Sequence, residues 1–186
     1  MKRFLLVLCC VASGTIAQVT NIEAPGNLKS EHDVGCISVE QVAADFSPAD
    51  LFGGISECHR DRSYDKAVEL MIVAQLRGEF DKLRVADKTA HQAMQVLALQ
   101  TQDAGGRRYQ RQMQEAFQRF GGTGSPHHTK LCQQVKQQGL PRHSPSYMIQ
   151  HGMKAITGFE GDGLVDDFND QRAWDNLLKS YLKCSG

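Results

Sequence analysis

Leu70, Met71, Ile72, Val73 and Ala74 stand in unbroken succession, and this run constrains the fold more than any other feature of the chain outside its first residues. A helix that is apolar on every side for more than a turn must be enclosed by other elements, so the spacing predicts a central, buried helix. Ser63 supplies its cap and Gly78 a stop. A second helix is predicted after it, with Leu83, Ala86, Ala90, Met94 and Leu97 at helical spacing and Arg84, Lys88, Gln92 and Gln95 between them. That pattern has one buried and one wet face, so the second helix should lean on the first.

The first 17 residues read as a secretory signal: basic Lys2 and Arg3, an apolar run from Phe4 to Ala12, and small residues before a cut near Ala17. The run is far shorter than the roughly 20 residues of a membrane helix, so an exported protein with no span is expected, periplasmic or secreted. The chain has 21 basic and 21 acidic residues, and loss of Lys2 and Arg3 leaves a formal charge of −2. Near-neutrality argues against nucleic acid as a partner, which calls for a clearly basic surface. The short signal and the lack of any N-x-S/T acceptor lean towards a bacterial source.

Two cysteines leave with the signal, and Cys36, Cys58, Cys132 and Cys184 remain. Four cysteines in an exported chain imply two bridges with three possible pairings. Cys36 with Cys58 brackets the first helical segment, and Cys132 with Cys184 brackets the last third of the chain, so this is the expected pairing. Residues 18–37 read as an extended tail, because Pro25, two glycines and mixed charge show no period. Residues 38–186 read as a single domain.

Helix signals recur along that domain. Ser38 with Gln41 fits a capping box. Ser47, Pro48 and Asp50 open another helix, which Gly53 and Gly54 should weaken. After Ala104, Gly105 and Gly106 comes a clear helix with the stripe Tyr109, Met113, Ala116, Phe117 and Phe120, and Ser125 with Pro126 starts the next. Ile149, Met153 and Ile156 should share a face, and Ala173, Trp174, Leu177, Leu178, Tyr181 and Leu182 mark a final helix. No convincing alternating strand is present, so the expected class is all-α, with about six or seven helices around the buried one. A loose likeness of Ala67, Gly78, Phe80 and Ala90 to tetratricopeptide-like pairs occurs once only, whereas a solenoid needs several copies.

The chemistry-bearing residues give no complete motif. His127, His128 and Cys132 lack the further ligands that zinc needs. The acidic, glycine-rich stretch from Gly158 to Asn169, with Glu160, Asp162, Asp166 and Asp167, lacks the spacing of a calcium loop. Pairs such as Glu57 with Asp61, or Glu79 with Asp81, are too common to mark a glycosidase. There is no G-x-S-x-G, H-E-x-x-H or phosphate-binding loop. No catalytic residue, metal or cofactor is therefore expected, and the chain is read as a non-enzyme. Two surfaces remain for a protein partner: the acidic loop, and Arg107, Arg108 and Arg111 opposite the apolar stripe of their helix. The expected function is an exported protein-binding or inhibitor protein, in its concrete form an immunity protein occluding the active site of a toxic cell-wall hydrolase or lipase. An envelope enzyme acting on peptidoglycan or lipid, and a structural or chaperone-like envelope protein, are the alternatives.

Overall fold

The computed structural model describes residues 23–158 and 161–184. The signal reading over residues 1–17, and Glu160, lie outside them. Among the described residues the fold is all-α: α1 (Pro48–Arg60), α2 (Tyr64–Arg84), α3 (Ala93–Phe120), α4 (Pro126–Gln138), α5 (Ser146–Ile149), α6 (Lys154–Thr157) and α7 (Asp170–Ser180). Two 3₁₀ turns, Val39–Gln41 and Lys88–Gln92, precede α1 and α3. The only β pairing among these residues is an isolated antiparallel bridge between Val85 and Leu164. None of the described helices is long and apolar enough to cross a membrane.

Helix α2 is the centre, with α1, α3 and α7 packed around it. Leu70, Val73, Ala74 and Leu76 are enclosed, and only Ile72 of the apolar run is partly open. Gly78 does not end this helix, contrary to the sequence expectation. It lies inside α2, where a Cβ would meet the Met94 side chain at 2.3–2.8 Å, so the glycine gives α3 its close approach. The amphipathic pattern read from Leu83 is split accordingly: Leu83 and Arg84 belong to the last turn of α2, and α3 starts only at Ala93. The glycines at 105 and 106 mark a real break. Gly106, at φ 63° and ψ −165°, adopts a conformation essentially confined to glycine and separates α3 into two arms.

Gly53 and Gly54 do not interrupt α1, which runs for 13 residues. Gly54 packs against the backbone of Gly35, whose carbonyl would lie 3.0 Å from an added Cβ. The close packing offsets the low helix propensity of glycine. The start of α1 forms as its sequence predicts: Asp50 N–H donates to the Ser47 hydroxyl, and Ser47 N–H and Oγ–H donate back to the Asp50 carboxylate at 2.7 and 2.8 Å. The Ser38–Gln41 cap also forms, but it opens a single 3₁₀ turn. Ser63 precedes α2 without a capping bond from its side chain.

Both expected disulfides are present, Cys36–Cys58 and Cys132–Cys184. The second joins α4 to the segment after α7, whose Trp174 stands edge-on to Phe80 of α2 at 5.7 Å. Ile149, Met153 and Ile156 do not share a buried face. Their segment is two separate one-turn helices, and Met153 and Ile156 are exposed. Residues 23–37 are irregular, yet they are fastened: Leu28 N–H donates to the Tyr147 carbonyl, and Glu31 and His32 N–H both donate to Asp50.

Candidate functional site

The C-terminal end of α2 carries an acidic ridge. Val85 leaves the helix in extended conformation, and the loop from Gly161 to Phe168 pairs beside it, with Ala86 N–H donating to the Gly163 carbonyl at 3.0 Å and Val165 N–H to the Arg84 carbonyl at 2.8 Å. Gly163 permits this approach, because its φ is +82° and a Cβ would lie 3.0 Å from Ile149. The Asp162 carboxylate accepts the Leu164 N–H at 3.0 Å and closes the turn. These bonds hold the middle of the loop, from Asp162 to Val165, although it has no regular structure.

The pairing also sorts the side chains. Leu164 packs towards the core, whereas Val165 points out and is 41% exposed. Asp166 and Asp167 follow at the crest, both exposed. Neither carboxylate has a hydrogen bond or ion pair among the described residues. A hollow lies on each side of the ridge. One, of about 320 Å³, is lined by Asp87, Lys154, Asp162 and Ile149 among others. The other, of about 470 Å³, lies between the ridge and α7 over Leu83, Val165, Phe168 and Leu177. Leu83 is 48% exposed there, although the sequence placed it on a buried face. The helix register moved it: with α2 continuing past Gly78, Leu83 falls on the solvent side. One signal was legible, since Leu164 and Val165 are an apolar pair inside an otherwise glycine- and aspartate-rich stretch.

Arg107, Arg108 and Arg111 lie on the second arm of α3, exposed and without an ion pair among the described residues. They are not brought to the ridge. The arm packs at the other end of α2, where Arg119 binds Asp65 at 2.7 Å and Tyr109 meets His59 edge-on at 5.1 Å. With about 1.5 Å rise per residue, Asp65 and Arg84 lie roughly 29 Å apart along α2. The two predicted surfaces therefore address different regions of any partner.

One cluster that the sequence did not reveal sits just inside the ridge. Asp81 is fully buried and receives Arg84 Nε and Nη2 at 2.9 and 2.7 Å, the Tyr147 hydroxyl at 2.9 Å, and His143 Nε2 at 2.9 Å. Burial alone would raise the Asp81 pKa, but the His143 imidazole and the Arg84 guanidinium outweigh it and hold the carboxyl below its ordinary range. Burial and the Asp81 charge push the Tyr147 hydroxyl well up. Arg84 Nη2 also donates to the His143 carbonyl at 2.8 Å, so the cluster ties the segment before α5 to α2. His143 and Asp81 form a carboxylate–imidazole pair like that of many hydrolases, here 4% and 0% exposed.

The histidines near Cys132 are also committed to the fold. His128 accepts the Gly124 N–H at Nδ1, which leaves Nε2 to donate to the Leu182 carbonyl at 2.7 Å. Cys132 is in its disulfide, and His127 packs on Phe120. Among the described residues no group of three or more His, Cys, Asp or Glu side chains could hold a metal ion. No family model, curated protein or solved structure matches the chain.

Proposed function

We propose that this chain is an exported protein-binding protein, periplasmic or secreted, that inhibits its partner in the manner of an immunity protein, with the acidic ridge entering the active-site cleft of a toxic hydrolase or lipase. The observation that carries the reading is the ridge itself: Asp166 and Asp167, unpaired among the described residues, on a loop bonded through Val165 to Arg84 at the end of α2 and through Gly163 to Ala86 just beyond it, beside uncovered Leu83 and Val165. A loop already held in shape loses little conformational entropy on binding, and apolar contacts rimmed by charge are the ordinary composition of a specific interface. The two disulfides suit an oxidising compartment.

The test is capture with the oxidised protein as bait against envelope and secreted fractions of its own cells. One stoichiometric partner is expected, with a hydrolytic activity that falls on binding and returns when the bait is Asp166→Lys/Asp167→Lys. Failure to find such a partner, or equal inhibition by the variant, would refute the reading.

A further inference from the structure

We infer that the hollow between the ridge and α7 is a docking groove for a protein segment that carries an aliphatic or aromatic side chain next to a lysine or arginine. This rests on the partner-binding reading above and specifies the chemistry of that partner.

The hollow, at about 470 Å³, is a shallow depression open to solvent, roomy enough for a side chain laid against its floor. Its floor is apolar and uncovered: Leu83 and Val165 are exposed, while Phe168 and Leu177 are half-buried against the core. Phe168 is backed by Phe80 with ring centroids 6.0 Å apart, so the floor rests on the central helix. An inserted apolar side chain would remove this surface from water, which is the favourable part of the contact.

The rim decides which apolar segment fits. Asp166 and Asp167 border the hollow and have no ion pair or side-chain hydrogen bond among the described residues, so a segment covering the floor strips water from two carboxylates. A basic residue beside the inserted side chain restores that loss, whereas an acidic one adds repulsion. Arg172 stands on the α7 wall of the same hollow, across from the ridge, and can donate to a backbone carbonyl or carboxylate of the segment. The two walls thus carry opposite charge, which gives the docked segment a direction. The aspartates also disfavour an anionic lipid surface as occupant.

The experiment is selection from a random displayed peptide library on the immobilised, oxidised full chain, followed by amide-shift mapping of one selected peptide. Enriched sequences should pair an aliphatic or aromatic residue with nearby lysine or arginine, and the shifts should centre on Leu83, Val165, Phe168 and Leu177. Leu83→Asp should abolish binding, and Asp166→Asn/Asp167→Asn should weaken it about tenfold, the weight of two partly exposed charge pairs. Leu83, Asp166 and Asp167 are exposed, so these variants keep the fold, which a circular dichroism melt verifies. Acidic consensus sequences, shifts centred elsewhere, or equal binding by the variants would overturn the groove. Because the selection needs no native partner, its failure removes the groove alone, while failure of the native capture removes the inhibitor reading.

Discussion

Asp81 is tied to Arg84 directly and the pair Asp166–Asp167 only through Val165, with opposite results. The Arg84 side chain is taken by Asp81 inside the core, while the Arg84 carbonyl holds Val165 and so positions the two aspartates outside. The buried carboxylate has donors on both oxygens and no solvent; the outer carboxylates have solvent and no donors among the described residues. A charge that is fully satisfied within a fold has little left to offer a ligand, whereas an unsatisfied one on a fixed loop keeps its full capacity for a partner. On the proposed reading, the burden of stability and the capacity for recognition are divided between the buried acid and the exposed pair.

The largest effect that sharpens this contrast is expected from Asp81→Ala. It leaves Arg84 and His143 without their partner inside the core and should cost about 3–5 kcal/mol, measured by chemical denaturation. A loss below about 1 kcal/mol would place Asp81 among the ordinary surface acids.

Asp50, at the start of α1, tests the same principle. Burial alone would raise its pKa, but the His32 and Ser47 amides and the Ser47 and Ser30 hydroxyls outweigh this and hold it at about 2. A carboxyl depressed in the folded state stabilises the fold fully above its unfolded value near 3.8, and that contribution is lost as pH falls towards about 2. His32 has the opposite sign: its bond to Asp50 raises it above 6.5, so its contribution is complete below 6.5 and fades as pH rises through the raised value. The attachment of residues 30–34 should therefore be strongest between these limits. Denaturation midpoints and the Glu31 and His32 amide signals should show a loss of about 2 kcal/mol on acidification, which an Asp50→Asn variant lacks.

Gly163→Ala moves the ridge without changing any charge. At φ +82° and 3.0 Å from Ile149, the added methyl should cost about 1–2 kcal/mol and weaken partner binding by displacing Val165. Unchanged binding affinity would show that ridge position does not matter. The smallest effect on stability is expected from Asp166→Asn/Asp167→Asn, within about 0.5 kcal/mol by thermal denaturation, with the whole consequence in binding.

The central helix and the Ser47–Pro48–Asp50 and Ser125–Pro126 starts were legible because each is a local signal, an apolar run or a cap within three residues, and the disulfide pairing because each pair brackets one segment of the chain. The fates of individual acids and glycines were not. Asp81 reads in sequence as one member of a common carboxylate pair with Glu79, and its burial depends on His143 and Tyr147, more than 60 residues away. Gly78 reads as a stop, and only the side chain of Met94 explains why it sits inside a helix. The acidic loop was recognised as a loop, but its fastening to Val85 uses backbone groups, on which composition is silent.

That fastening has a thermodynamic consequence. The ridge exists as a shape only while Arg84 presents its carbonyl from an intact α2, so a ligand that grips the ridge binds the folded chain and not the unfolded one. Its binding free energy then adds to the stability of the whole domain by mass action, by about 2.7 kcal/mol when the ligand is at a hundred times its dissociation constant. Any ligand of this loop would be linked in this way to the melting of the core beneath it, and a shift in the melting temperature would report its occupancy.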